Sequence, residues 1–96
     1  MLLTDKVAMI TGGGRGIGEA SARRLAEHGA KVILADMNLE AAQAVAADIN
    51  AQGGEARALE FNVAEVEAIP EKVAAAKALF GRIDILVNVA GITGST

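Results

Sequence analysis

The chain has 96 residues, of which 52% are hydrophobic and 22% charged, with a formal net charge of −3 and a pI near 5.0. These values fit one small globular domain over residues 1–96 and exclude the basic stripe that a nucleic acid or an anionic membrane would require. There is no cysteine, hence no disulfide, zinc–thiolate site or cysteine nucleophile, and there is no tyrosine.

The segment from Met1 to Lys6 lacks the basic and long apolar regions of a signal peptide. No apolar stretch approaches the roughly 20 residues that span a bilayer. The expected setting is therefore a reducing cytoplasm, with no membrane and no nucleic acid among the partners.

Apolar runs alternate with helical patterns along the chain. Val7 to Ile10 is a short β-rich run and predicts the first strand. Ile17, Ser21, Leu25 and His28 recur at helical spacing, and Gly29 predicts the stop by a left-handed C-terminal cap. Val32 to Ala35 predicts the second strand. Asn38 is positioned as an N-cap, with Glu40 in the first turn where the helix dipole favours an acid.

Leu39, Ala42, Val45, Ala46 and Ile49 share one face of that second helix, which Gly53 and Gly54 end. Ala56 to Asn62 predicts the third strand. Val73, Ala76 and Phe80 mark a third helix, with Pro70 in its first turn, where proline loses no helical bond, and Gly81 at its end. Ile83 to Val89 predicts a fourth and very apolar strand. The order βαβαβαβ predicts an α/β fold with a parallel sheet and right-handed crossovers.

Chemistry concentrates between the first strand and the first helix. Thr11, Gly12, Gly13, Gly14, Arg15, Gly16, Ile17 and Gly18 form a glycine-rich turn. Gly13 and Gly18 have the spacing of a mononucleotide loop, but Glu19 stands where that loop needs lysine, and an acid there repels phosphate. The strict G-x-G-x-x-G pattern is also absent. The same physics applies nonetheless: glycines permit a tight turn and let the backbone approach a pyrophosphate, and the following helix offers its N-terminus to the anion. A merely flexible loop is the bland alternative; the placement between a strand and a helix speaks against it.

Asp36 closes the second strand, 20 residues beyond Gly16, where an acid accepts hydrogen bonds from adenosine ribose hydroxyls. It would repel a 2′-phosphate, so it favours NAD over NADP. Arg15 pulls the other way, since a basic loop residue can pair with that phosphate. Asp36 addresses the ribose directly and carries more weight.

Together these motifs resemble the short-chain dehydrogenase/reductase family. The resemblance rests on Thr11-Gly12-x-x-x-Gly16-x-Gly18, on Asp36, and on Asn88-Val89-Ala90-Gly91 after the fourth strand, and covers nearly the whole chain. It implies a Rossmann-like sheet of order 3-2-1-4, truncated after the fourth strand. It also implies that Thr11, Gly12, Gly14, Arg15, Gly16, Ile17 and Gly18 cradle the cofactor pyrophosphate, that Asp36 binds the ribose, and that Asn62 and Val63 flank the adenine. Asn88, Ala90 and Gly91 would stabilise the sheet and face the ribose on the nicotinamide side. The family usually has aspartate where Asn62 stands and a second asparagine where Val89 stands, and Pro70 is unusual for it. Asparagine keeps an acceptor for the adenine amino group; valine keeps only a backbone contact.

By the same resemblance, proton transfer belongs to a tyrosine, a lysine four residues later and a serine, all beyond Thr96. No catalytic residue and no metal ligand is therefore assigned within the chain. His28 reads as a solvated helix end, Ser21 as a packing residue and Asp84 as a strand-end group. The expected function is that of the N-terminal, cofactor-binding portion of an NAD(P)-dependent oxidoreductase that moves hydride between nicotinamide and an alcohol or carbonyl, the isolated chain being inactive. A non-enzymatic dinucleotide module, a half-domain completed by a partner and a decayed reading frame are the alternatives. Ile85, Leu86 and Val87 would leave an unpaired apolar edge, for which self-association is the expected consequence.

Overall fold

The backbone of the computed structural model, described here for residues 2–62 and 64–89, is organised around four parallel strands. In chain order the elements are β1 (Val7–Thr11), α1 (Gly16–Glu27), β2 (Lys31–Asp36), α2 (Leu39–Ala51), β3 (Glu55–Glu60), a short 3-10 turn (Val66–Ala68), α3 (Ile69–Phe80) and β4 (Ile85–Asn88). The sheet order is β3-β2-β1-β4, as the resemblance implies. Register runs from Val7↔Lys31 to Thr11↔Ala35 between β1 and β2, and from Ala8↔Ile85 to Thr11↔Asn88 between β1 and β4.

The two central strands are buried on both faces, which is why they read as continuous apolar runs rather than alternating ones. Met9, Ile10, Val32, Ile33 and Leu34 are all at most 1% exposed. Each such side chain contributes about 1.5–3 kcal/mol by leaving water. Alternate residues feed two cores. Ala8, Ile10, Val32 and Leu34 meet Ala22 of α1 and Ala42, Val45, Ala46 and Ile49 of α2. Val7, Met9, Ile33 and Ala35 meet Phe61, Ala76 and Phe80 on the α3 side. The chain thus changes faces between the crossover to β2 and the crossover to β4, which creates a switch point at the carboxyl ends of β1 and β4.

Local signals set most boundaries. Asn38 caps α2 by accepting from Ala41 N at 3.1 Å, as its residue type predicts. Pro70 lies in the first turn of α3, and Gly81 ends that helix in the left-handed conformation at φ 87°. His28 is the C-cap of α1, and its carbonyl accepts from Leu3 N at 2.8 Å.

Two residues that marked helical spacing lie outside the buried faces of their helices. Ile17 is 65% exposed, and the buried positions of α1 are Gly18 and Ala22. Val73 is likewise exposed, and Ala76 is the buried residue of α3. At α1 the approach is close enough to select the smallest side chains, and Ile17 is turned outward. Among the described residues, no helix is long and apolar enough to cross a membrane.

Candidate functional site: a glycine cradle at the sheet switch point

The glycine turn is built by backbone contacts that side chains would prevent. Gly12, at φ 76°, reverses the chain after Thr11, and its N–H donates to Ala35 O at 2.6 Å. Gly13 N donates to the same carbonyl at 3.3 Å. The turn is thereby fastened to the end of β2.

The α1 N-terminus then presses onto it. A Cβ on Gly18 would fall 1.8 Å from Gly12 O and 2.6 Å from its carbonyl carbon. A Cβ on Gly14 would lie 2.9 Å from Asp36 Oδ2 and 3.0 Å from both Ala41 Cβ and Ala42 N. Arg15 is extended and exposed at the N-cap and supplies no side-chain cap. The first-turn N–H groups of α1, which no helical carbonyl can reach, are left to water or to a ligand. This bare-backbone cradle, with the positive end of a helix at its wall, could hold an anionic group.

Asp36 lies beside the cradle, half-buried at the end of β2. Its Oδ2 accepts from Gly14 N and its Oδ1 from Asn38 N, both at 2.9 Å. Phe61 N donates to Asp36 O at 2.9 Å, which carries the chain after β3 past the end of β2. Asn62 follows there, and its Oδ1 accepts from Ala64 N at 2.9 Å, forming a local turn.

On the opposite flank, Thr11 and Asn88 are register partners between β1 and β4. The Thr11 hydroxyl donates to Asn88 Oδ1 at 2.8 Å and is 4% exposed. Val89 N donates to Thr11 O at 3.2 Å while its side chain is buried in the α1–α2 core. The Val89 N–H is thus used within the sheet, and its side chain is part of the core.

The structure thus gathers Thr11, Gly12, Gly14, Arg15, Gly16, Ile17, Gly18, Asp36 and Asn88 around the carboxyl ends of β1, β2 and β4. Asn62 borders them. Val63, Ala90 and Gly91 lie outside the described residues. Gly13, named within the same glycine turn, is closely packed as well: its Cβ would come within 3.1 Å of Ile10 O and Leu34 Cα. Sequence reasoning missed the link from Asn38 N to Asp36, for which an Asp-x-Asn step at a strand–helix junction is the available signal.

Away from the cradle, Arg23 bridges α1 to α2, paired with Glu19 at 2.9 Å and with Asp48. Asp48 first, and Glu19 second, hold its guanidinium above its ordinary pKa. At the opposite end of the sheet, Asp84 Oδ2 accepts from Val7 N at 2.9 Å, and Asp84 N donates to Val7 O at 2.8 Å. The Arg82 hydrogen bond, then that from Val7 N, holds the Asp84 carboxyl below the usual carboxylate range.

Residues 6–96 match the family description "short chain dehydrogenase". The short-chain reductase protein NovJ of Streptomyces niveus is 49% identical over 88 residues, covering 92% of this chain and 34% of the relative. A cyclohexanol dehydrogenase of an Acinetobacter strain is 47% identical over 90 residues, covering 94% of this chain and 36% of the relative. The crystal structure of a hydroxysteroid dehydrogenase from Escherichia coli superposes with a TM-score of 0.85 at 37% identity, over 90% of this chain and 37% of that one. The chain therefore spans about a third of the length of the relatives it matches. With the sheet order, the cradle and these relatives in agreement, the chain belongs to the short-chain dehydrogenase family.

Proposed function

We propose that this chain is the N-terminal, cofactor-binding portion of an NAD-dependent oxidoreductase that transfers hydride between nicotinamide and an alcohol or carbonyl carbon. The observation that carries this reading is the cradle itself: Gly18 pressed on Gly12 beside an uncapped helix N-terminus, with a carboxylate at the end of β2. In this reading the turn from Gly12 to Gly18 cradles the pyrophosphate, with the first-turn N–H groups of α1 as donors, because those of Gly12, Gly13 and Gly14 are already donated within the fold. Asp36 accepts from the adenosine ribose and disfavours a 2′-phosphate. Asn62 and Val63 flank the adenine, and Asn88, Ala90 and Gly91 border the ribose on the nicotinamide side. The bound cofactor supplies the hydride acceptor or donor.

The 96 residues contain no tyrosine. Protonation of the substrate oxygen is assigned, by the family resemblance, to residues outside them. The polypeptide of these 96 residues accordingly binds cofactor without turnover. The name of the Acinetobacter relative, cyclohexanol dehydrogenase, is in keeping with oxidation of an alcohol. A cytoplasmic setting is part of this reading and rests on composition.

A second reading, a half-domain completed by another chain, is favoured by one observation. The outer edge of β4 has no strand partner among the described residues, and Leu86 on it is 64% exposed. Such an edge recruits another strand, including one from a second copy.

Calorimetric titration of the purified chain with NAD and with NADP tests the first reading. Saturable binding, tighter for NAD, is expected. No binding of either refutes the cradle assignment, and tighter NADP binding refutes the role given to Asp36. Cofactor-linked turnover by the purified 96-residue chain refutes its assigned inactivity.

A further inference from the structure

One carboxylate joins three segments around the cradle. Asp36 Oδ2 accepts from Gly14 N and Oδ1 from Asn38 N, each at 2.9 Å. Asn38 in turn caps α2 through Ala41 N. The end of β2, the glycine turn and the start of α2 are therefore tied through a single side chain. Gly14 is buried, and a Cβ there would meet Asp36 Oδ2 at 2.9 Å, so the turn is seated directly against this carboxylate. Each ionised carboxylate oxygen offers about two lone-pair directions. Two amides leave acceptor capacity for two hydroxyls.

We propose that Asp36 is a positioning residue for the glycine turn as well as its ribose acceptor, so that cofactor discrimination and cradle geometry are coupled through one carboxylate. The proposal rests on the dinucleotide reading above. A buried N–H without an acceptor is costly, so loss of the carboxylate releases Gly14 and lets the turn relax. Asparagine does not replace it: its one oxygen can serve Gly14 or Asn38, and its NH2 then faces the other N–H. Neutralising Asp36 thus removes a repulsion toward a 2′-phosphate and loosens the anion cradle in the same step.

The test compares wild type with Asp36→Asn by amide hydrogen exchange and by binding of ADP and of 2′,3′-dideoxy-ADP, which lacks both hydroxyls. A carboxylate acting on the ribose alone leaves dideoxy-ADP binding unchanged, or tighter, since a negative charge near an anion has gone. The proposal expects the opposite: dideoxy-ADP binding weaker by about tenfold or more and Gly14 exchange faster by a similar factor, the scale of one lost hydrogen bond to a charged group. Protection at Ile10 and Ile33 should stay unchanged. Unaltered Gly14 exchange, or undiminished dideoxy-ADP binding, overturns the proposal.

If Ile10 and Ile33 also lose protection, the same readouts are taken from Asp36→Glu, which keeps the charge but moves the oxygens by about 1.5 Å. Faster Gly14 exchange and weaker dideoxy-ADP binding are expected there too, and wild-type values overturn the proposal. Wild type binding neither nucleotide refutes the dinucleotide reading instead, while Gly14 exchange still decides the tether.

Discussion

Gly18 is seated on Gly12 so closely that a Cβ on Gly18 would fall 1.8 Å from the Gly12 carbonyl oxygen. The obstacle is backbone, so the strain of a methyl there cannot be relieved by a side-chain rotation. Gly18→Ala must push α1 away from the turn, at a cost of about 2–3 kcal/mol or more. Gly16 is a natural control, with φ +60° and nothing within 4 Å of its Cβ position. Gly16→Ala meets only the left-handed backbone penalty, about 1–2 kcal/mol. Urea unfolding of both variants checks the order, and a Gly18 variant as stable as the Gly16 variant contradicts the close-packing account.

Thr11 and Asn88 join β1 to β4 through a 2.8 Å side-chain bond in a position where Thr11 is 4% exposed. Thr11→Val keeps the shape and removes the donor, leaving Asn88 Oδ1 without it. The expected loss is about 1–2 kcal/mol. A double-mutant cycle with Asn88→Ala separates this bond from general packing, because only the bond disappears on adding the second change. A coupling energy near zero would show that the pair contributes nothing.

Features set within a few residues were legible in the sequence. The Asn38 cap, the Gly81 stop and the glycine turn each follow from the residue type at a chain reversal. Asp36 could be placed because a strand of known length separates it from α1. The inner face of α1 does not follow from periodicity, which weights Ile17 above Gly18, whereas close approach to the sheet selects Gly18 and Ala22 and turns Ile17 outward. The Thr11–Asn88 and Val7–Asp84 bonds join residues 77 positions apart. Nothing in a single sequence reports such pairs before the register of β1 and β4 is known.

Asp84 gives the fold an acid-sensitive contribution. Its carboxyl is held below the ordinary range, first by Arg82 and then by Val7 N–H. A depressed folded-state pKa means that the stabilisation is complete above the unfolded value, about 3.9. It fades as pH falls from there through the lower folded-state value. Asp84→Asn retains an oxygen for Val7 N but loses the ion pair with Arg82. Wild type should therefore exceed the variant in stability at neutral pH, with the gap closing in acid below the ordinary carboxylate range. A gap that stays constant down to strongly acidic pH would contradict this assignment.

Leu86 lies on the outermost strand, 64% exposed, and its register partner is Met9 of β1. Leu79 and Val73 of α3 are also 40% exposed. An apolar strand edge with open N–H and C=O groups is a template for another strand, and a lysine on such an edge opposes pairing. Leu86→Lys exchanges little buried area, so its effect on stability should stay within about 0.5 kcal/mol. Its effect on association should be much larger. Sedimentation velocity of the 96-residue chain at micromolar concentration is expected to give self-associated wild type and a monomeric variant of unchanged unfolding midpoint. Wild type that sediments as a monomer across that range removes the case for the β4 edge as a contact between copies, and leaves the cradle reading untouched.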